Sequence, residues 1–186
     1  CGTGVASFTP TINVASSTYA WTGTVLSGSV SGVVASGTTP VSQTLTNTGT
    51  TVATVRYRVT PTGPAPTSCV GGFVDFVVTV NPVPTVSAAN QSICSGSTSN
   101  VVITNPNGVS GTTFSWTAVA SGVTGASNSS GTVISQTLTS AGGGTVTYTI
   151  TPSANGCAGT PVVAVVTVNP IPVGNAVAAG THVICS

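Results

Sequence analysis

The chain has 186 residues, of which only 2% are charged, against about 25% in ordinary soluble domains. With no Lys, no Glu and a formal net charge of +1 at pH 7, it offers no electrostatic footprint for nucleic acid or an anionic membrane surface. Its longest apolar runs, such as Val162-Val163-Ala164-Val165-Val166, fall far short of the roughly 18 residues a membrane span needs.

Taken in chain order, the signal is strand throughout. Strands are predicted from Ser17 to Thr24 around Trp21 and from Val41 to Thr46. Next comes a segment that puts Val55, Tyr57 and Val59 inward and Thr54, Arg56, Arg58 and Thr60 outward. The two cations then share a solvent face, which reads as a solvated surface in preference to an anion-binding pair. The run Phe76-Val77-Val78-Thr79-Val80 leads into Asn81-Pro82-Val83-Pro84. Beyond it, strands are predicted at 84–89, 99–104, 112–119, 132–139 and 160–168. Thr145-Val146-Thr147-Tyr148-Thr149-Ile150-Thr151 alternates strictly, as a half-buried antiparallel strand does. Turn signals separate these runs: Asn105-Pro106-Asn107-Gly108, Ser129-Ser130-Gly131, Ala141-Gly142-Gly143-Gly144 and Asn155-Gly156. The triple glycine is expected to be a hairpin turn and not a phosphate loop, because no helical pattern follows it.

The order of these elements repeats. Val80-Asn81-Pro82-Val83-Pro84 returns as Val168-Asn169-Pro170-Ile171-Pro172. Trp21 answers Trp116, Gln43-Thr44-Leu45 answers Gln136-Thr137-Leu138, and Tyr57 answers Tyr148. Cys69 answers Cys157, and Cys1, Cys94 and Cys185 share one phase. The division that follows is repeat 1 over 1–82, repeat 2 over 83–171, and a joint with the start of a third repeat over 172–186. Six or seven short strands per repeat, with a Trp near the third, make an immunoglobulin-like pattern. The expected fold is therefore all-β, with tandem sandwiches arranged end to end. Trp21, Trp116, Tyr57 and Tyr148 are expected in the cores; the competing use of the tryptophans is a sugar-stacking platform. Beginning and ending near the same cysteine phase, the sequence reads as a window on a longer repetitive polypeptide, or as one unit of a fibre.

Five cysteines with almost no His or acidic residues read as disulfides, not metal ligands, and imply an oxidising compartment. The preferred pairing lies within each repeat, Cys1 with Cys69 and Cys94 with Cys157, leaving Cys185 unpaired within the window and expected to pair with a residue beyond it. The alternative joins neighbouring repeats through Cys69–Cys94 and Cys157–Cys185. Each closed loop would contribute about 2–4 kcal/mol.

Catalytic chemistry finds no footing. Acid–base work needs paired titratable groups, and the chain has one acid, Asp75, and one histidine, His182, in different repeats. Ca²⁺ sites need several carboxylates, a Lys–Asn isopeptide needs a Lys, and the abundant hydroxyls have no adjacent base. No catalytic residue, cofactor or metal is expected. His182 reads as a joint residue, and Asn90-Gln91-Ser92 and Asn128-Ser129-Ser130 match the glycosylation sequon.

The second repeat carries Ile93-Cys94-Ser95-Gly96, Phe114-Ser115-Trp116, Thr147-Tyr148-Thr149-Ile150-Thr151-Pro152, Asn155-Gly156-Cys157 and Val166-Thr167-Val168-Asn169-Pro170. In this it resembles the PKD-like and Ig-like tandem repeats of very large surface proteins of Bacteroidota. The first repeat matches less closely, since Pro64-Ala65-Pro66-Thr67-Ser68-Cys69 replaces the Asn-Gly-Cys turn. The resemblance implies export by the type IX system, a role in adhesins, gliding-associated filaments or matrix fibres, and no enzymatic activity. The expected partners are copies of the chain or adjacent repeats, with surface glycans as a further possibility and no nucleic acid or membrane span. Asn-Pro-x-Pro at both joints predicts a semi-rigid rod. The near absence of charge predicts lateral or end-to-end association.

Overall fold

The computed structural model describes residues 1–174. His182, Cys185 and most of the predicted third-repeat start lie outside the described residues. All of the helical or strand elements described are strands. In the first half these are β1 (Thr3–Phe8), β2 (Thr18–Ser27), β3 (Val30–Ser31), β4 (Ser36–Gly37), β5 (Val41–Asn47), β6 (Ala53–Thr62) and β7 (Val74–Val80). The second half contains β8 (Ser87–Ala88), β9 (Gln91–Cys94), β10 (Val101–Thr104), β11 (Thr113–Ser121) and β12 (Ser129–Ser130). It continues with β13 (Val133–Ile134), β14 (Gly144–Ala154), β15 (Cys157–Ala158) and β16 (Val162–Asn169).

Each half is a pair of sheets around its own core. The first has the orders β1-β5-β3 and β4-β2-β6-β7. The second has β13-β10-β8 and β12-β11-β14-β16-β9, with β15 on β14. The local cause is the alternation of β-branched residues. Along β14, Val146, Tyr148 and Ile150 are fully buried while the intervening threonines stay half-buried, so one face packs and the other is wetted. Tyr57 and Val55 do the same on β6.

The first core gathers Trp21, Val41, Leu45, Val55, Tyr57 and Val80 among others. Trp21 and Phe8 meet Tyr57 edge-on, with ring centroids 5.8 and 5.6 Å apart, a favoured aromatic geometry. Trp21 Nε1 donates to the Thr39 carbonyl at 2.7 Å. The second core contains Phe114, Trp116, Ile134, Leu138, Tyr148 and Val166 among others. Trp21 and Trp116 are each 5% exposed, which leaves neither ring face free to stack on a sugar.

Five details depart from the sequence reading. The strand expected at 132–139 is reduced to β13, and the expected turn at Ser129-Ser130-Gly131 contains strand β12, paired with β11. Gly142-Gly143-Gly144 is not a hairpin turn: β13 and β14 lie in different sheets, so the glycines form an inter-sheet corner. Gly144 presses so closely on the Ser121 carbonyl that a Cβ there would collide with it. The 84–89 strand shrinks to the two residues of β8. Gln91–Cys94 forms an unanticipated strand, β9, parallel to β16 in the register Val166↔Gln91 to Asn169↔Cys94. Its four residues, between Ala89-Asn90 and Ser95-Gly96, are too few and too polar to show a period.

The joint between the repeats as a candidate functional site

Within each repeat the sheets set two opposite ends. In repeat 2 the start of β14 pairs with the end of β16, Gly144↔Val168, while the far end of β14 turns through Asn155-Gly156 into Cys157. In repeat 1 the start of β6 pairs with the end of β7, Ala53↔Val80. Its far end bridges Thr62 to Val70, next to Cys69. Cys1 sits at the Asn81 end, because the Gly2 amide donates to the Asn81 carbonyl at 2.8 Å.

This arrangement overturns the intrarepeat pairing of cysteines. Cys1 and Cys69 are at opposite ends of one sheet, as are Cys94 and Cys157. Strands of ten or so residues separate them by roughly 30 Å, whereas a disulfide requires Cα atoms within about 7 Å. The structure joins Cys1 to Cys157 across the repeats, with a Cα–Cα distance of 5.3 Å. Cys69 and Cys94 are exposed free thiols, so the alternative Cys69–Cys94 link is not formed either. Cys185 falls outside the described residues.

The bond belongs to a larger joint. Asn81 Nδ2 donates to the Asn155 carbonyl at 2.9 Å, tying the end of repeat 1 to the turn that bears Cys157. Asn107 Nδ2 donates to the Val83 carbonyl at 2.9 Å. Pro82 is fully buried. Gly159 packs on the Pro84 carbonyl with no room for a side chain. The recurrence of Asn-Pro-x-Pro marked the joint in the sequence. The contacts of Asn107 and Gly159 had no such signal, since each depends on where a distant turn lands.

Elsewhere the surface is sparse in chemistry. Arg58 and Asp75 face each other across β6 and β7, with Nε–Oδ1 and Nη2–Oδ2 both 2.8 Å. The hydrogen bond from Arg58 holds the Asp75 carboxyl below its usual range and raises the guanidinium in return. Arg58 also stacks over Phe73 at 3.7 Å, so one of the two outward cations is occupied locally. An open groove of about 770 Å³ is lined by Phe8, Pro10, Ile12, Pro61, Val74 and Phe76 among others. Phe73 and Phe76, 57% and 44% exposed, are the accessible aromatics that the sequence reading missed. Edge position on β7 and the loop before it, not composition, exposes them. Among the described residues no three His, Cys, Asp or Glu side chains cluster as a metal site would require.

Paired, mainly antiparallel sheets around one Trp and one Tyr, repeated in tandem, define an immunoglobulin-like module. More particularly, the family model of the PKD-like domain matches residues 4–84 and again 91–172. The chain belongs to that family and carries two of its domains in tandem. PKD-like domains are typically non-catalytic, extracellular Ig-like modules, a setting with which the disulfide agrees. A search of the curated proteins found no match. No helix among the described residues is long and apolar enough to cross a membrane.

Proposed function

We propose that the chain is a non-catalytic structural repeat of an extracellular fibre, filament or adhesin stalk, in surface proteins of the kind found in Bacteroidota. The observation that carries this reading is the joint. One covalent bond, one side-chain hydrogen bond and a buried proline hold the two sandwiches together, which suits a spacer more than a mobile recognition head. The partners in this reading are copies of the chain or neighbouring repeats. Small-angle scattering from the chain and from longer tandem fusions is the test. Maximum dimension should grow in proportion to repeat number, and a freely jointed profile would overturn the reading.

A second reading, a glycan- or ligand-binding module, draws on the groove beside Phe76. Buried Trp21 and Trp116 give it no support. Titrating oligosaccharides against the chain, with Phe73 and Phe76 as reporters, separates the two: saturable shifts confined to the groove favour the module, and none favours the spacer.

A further inference from the structure

Cys94 stands to repeat 2 as Cys1 stands to repeat 1. The residue after each donates its amide to the joint asparagine: Gly2 to the Asn81 carbonyl and Ser95 to the Asn169 carbonyl, both at 2.8 Å. Cys69 stands to repeat 1 as Cys157 stands to repeat 2. Two residues beyond each, an amide returns to the equivalent proline: Gly71 to the Pro61 carbonyl and Gly159 to the Pro152 carbonyl, both at 2.9 Å. The residue before each cysteine is left-handed, Ser68 at φ 46 and Gly156 at φ 75. The returning hydrogen bond and the conformation before the cysteine thus agree, although the turns differ in sequence and in length, spanning 61–71 in repeat 1 and 152–159 in repeat 2.

Cys1 and Cys94 are both exposed, and the difference in cover lies in their partners. Cys157 is fully buried where repeat 1 meets it, whereas Cys69 is exposed. The rest of the second joint face is laid out beside Cys94 in the same way. Asn169 Nδ2, whose counterpart Asn81 reaches the next repeat, turns back to Ser92 Oγ at 2.9 Å. Pro170 is exposed, whereas its counterpart Pro82 is fully buried. Ile171, the counterpart of Val83, is 61% exposed.

Since Cys1 and Cys157 meet at the middle joint, Cys69 and Cys94 lie at the two outer ends. We propose that they are the two halves of the same cross-link, Cys94 of one unit bonding Cys69 of the next copy of the chain. The staple seen once between repeats 1 and 2 would then recur along the array. This rests on the reading of the chain as a unit of an end-to-end fibre. The contact is head-to-tail, so each copy leaves one end open and the assembly grows as a filament, without closing as a dimer.

The chemistry is thiol–disulfide exchange with a disulfide oxidant. The Cys94 thiolate attacks oxidised glutathione and releases one glutathione thiolate. The Cys69 thiolate of the next copy then attacks the Cys94 sulfur of that mixed disulfide and releases the second. Two protein thiols become one disulfide, and one glutathione disulfide becomes two thiols.

The test uses the full chain with Cys185→Ser, concentrated and treated with oxidised glutathione, then analysed by non-reducing electrophoresis and peptide mapping. The expected result is a ladder of multimers in which Cys94 peptides are linked to Cys69 peptides. Docking of the joint should raise the effective concentration of the mixed pair, giving roughly tenfold or more over like-with-like links. Recovery of the Cys1–Cys157 peptide certifies the fold, and Cys94→Ser in addition should abolish the ladder. Mixed links no more frequent than the like-with-like products together would mean random collision and overturn the proposal. So would glutathionylated monomer alone. Sedimentation of the same variant under reducing conditions separates the two ideas: non-covalent end-to-end association without the mixed link sinks the cross-link and leaves the fibre reading standing.

Discussion

Tyr57 donates its hydroxyl to Gln43 Oε1 at 2.8 Å inside the first core, and that same oxygen accepts the Val34 amide at 2.9 Å. Tyr148 and Gln136 repeat the bond at 2.8 Å, with the Ser127 amide as the second donor at 3.1 Å. In repeat 1 the glutamine oxygen thereby pins β5, β6 of the facing sheet and the segment that crosses between the sheets; in repeat 2, Gln136 does the same for β14 from the segment just past β13.

The two halves of that bond should respond unequally to substitution. Tyr57→Phe removes a donor but leaves Gln43 bonded to Val34, and is expected to cost about 0.5–1.5 kcal/mol. Gln43→Leu strands the buried Tyr57 hydroxyl, at about 1–3 kcal/mol for the unsatisfied group, and also removes the part-buried bond from the Val34 amide. Urea unfolding of both variants checks this, and equal losses would contradict the pinning role.

Burial raises the hydroxyl pKa of both Tyr57 and Tyr148. In the pH window between the unfolded value of about 10 and the raised folded value, the unfolded chain has lost protons that the native state keeps. Stability is therefore full below about pH 10 and falls as pH rises through the folded pKa. On the acid side, the depressed Asp75 favours the fold above the ordinary carboxylate range and loses that effect as pH falls through its folded pKa. With Asp75 exposed and the chain's sole acid, that loss should be small. Thermal unfolding from pH 3 to 12 should show a broad plateau with its steep edge on the alkaline side.

Non-reducing peptide mapping should recover Cys1 with Cys157. Cys1→Ser is expected to cost about 2–5 kcal/mol. It should also split a coupled unfolding transition into two, as each core melts without its neighbour. Recovery of Cys1 with Cys69 would contradict the joint.

β7 is the open edge of its sheet, whereas β16, its counterpart, is covered by β9. Phe76 and Val77 are 44% and 53% exposed there, with no Lys to blunt the edge. Lateral association should run through this strand and persist at high salt, because little charge is present to screen. Val77→Lys should abolish it in a sedimentation series, and unchanged association would place the contact elsewhere.

What was legible in the sequence was whatever repeats locally. The anchors Trp21/Trp116 and Tyr57/Tyr148 and the alternation of Thr145 to Thr151 required only period and order to be read. The Gln-Thr-Leu triplet was visible as a mark, but not its oxygen's role, which depends on the facing sheet. Gly32 and Gly125 occupy equivalent left-handed positions, φ 87 and 93, against the carbonyls of Thr44 and Thr137. They were invisible among 23 glycines. The Cys1–Cys157 bond is hidden for a related reason: residue spacing does not say at which end of a sandwich each cysteine arrives, and that is decided by strand direction.

The Cys1–Cys157 bond also governs what happens when the two ends are pulled. Tension entering at Cys1 crosses directly to Cys157 and leaves along β16, so the 156 residues of sequence separation are bypassed. Those residues would otherwise yield roughly 500 Å of contour length. Repeat 1 and most of repeat 2 therefore hang outside the load path, and only the short stretch after Cys157 can be drawn out. A chain stapled in this way resists lengthening across repeat 1 by covalent chemistry, and mechanical strength is asked only of the pairings that hold β16 between β14 and β9.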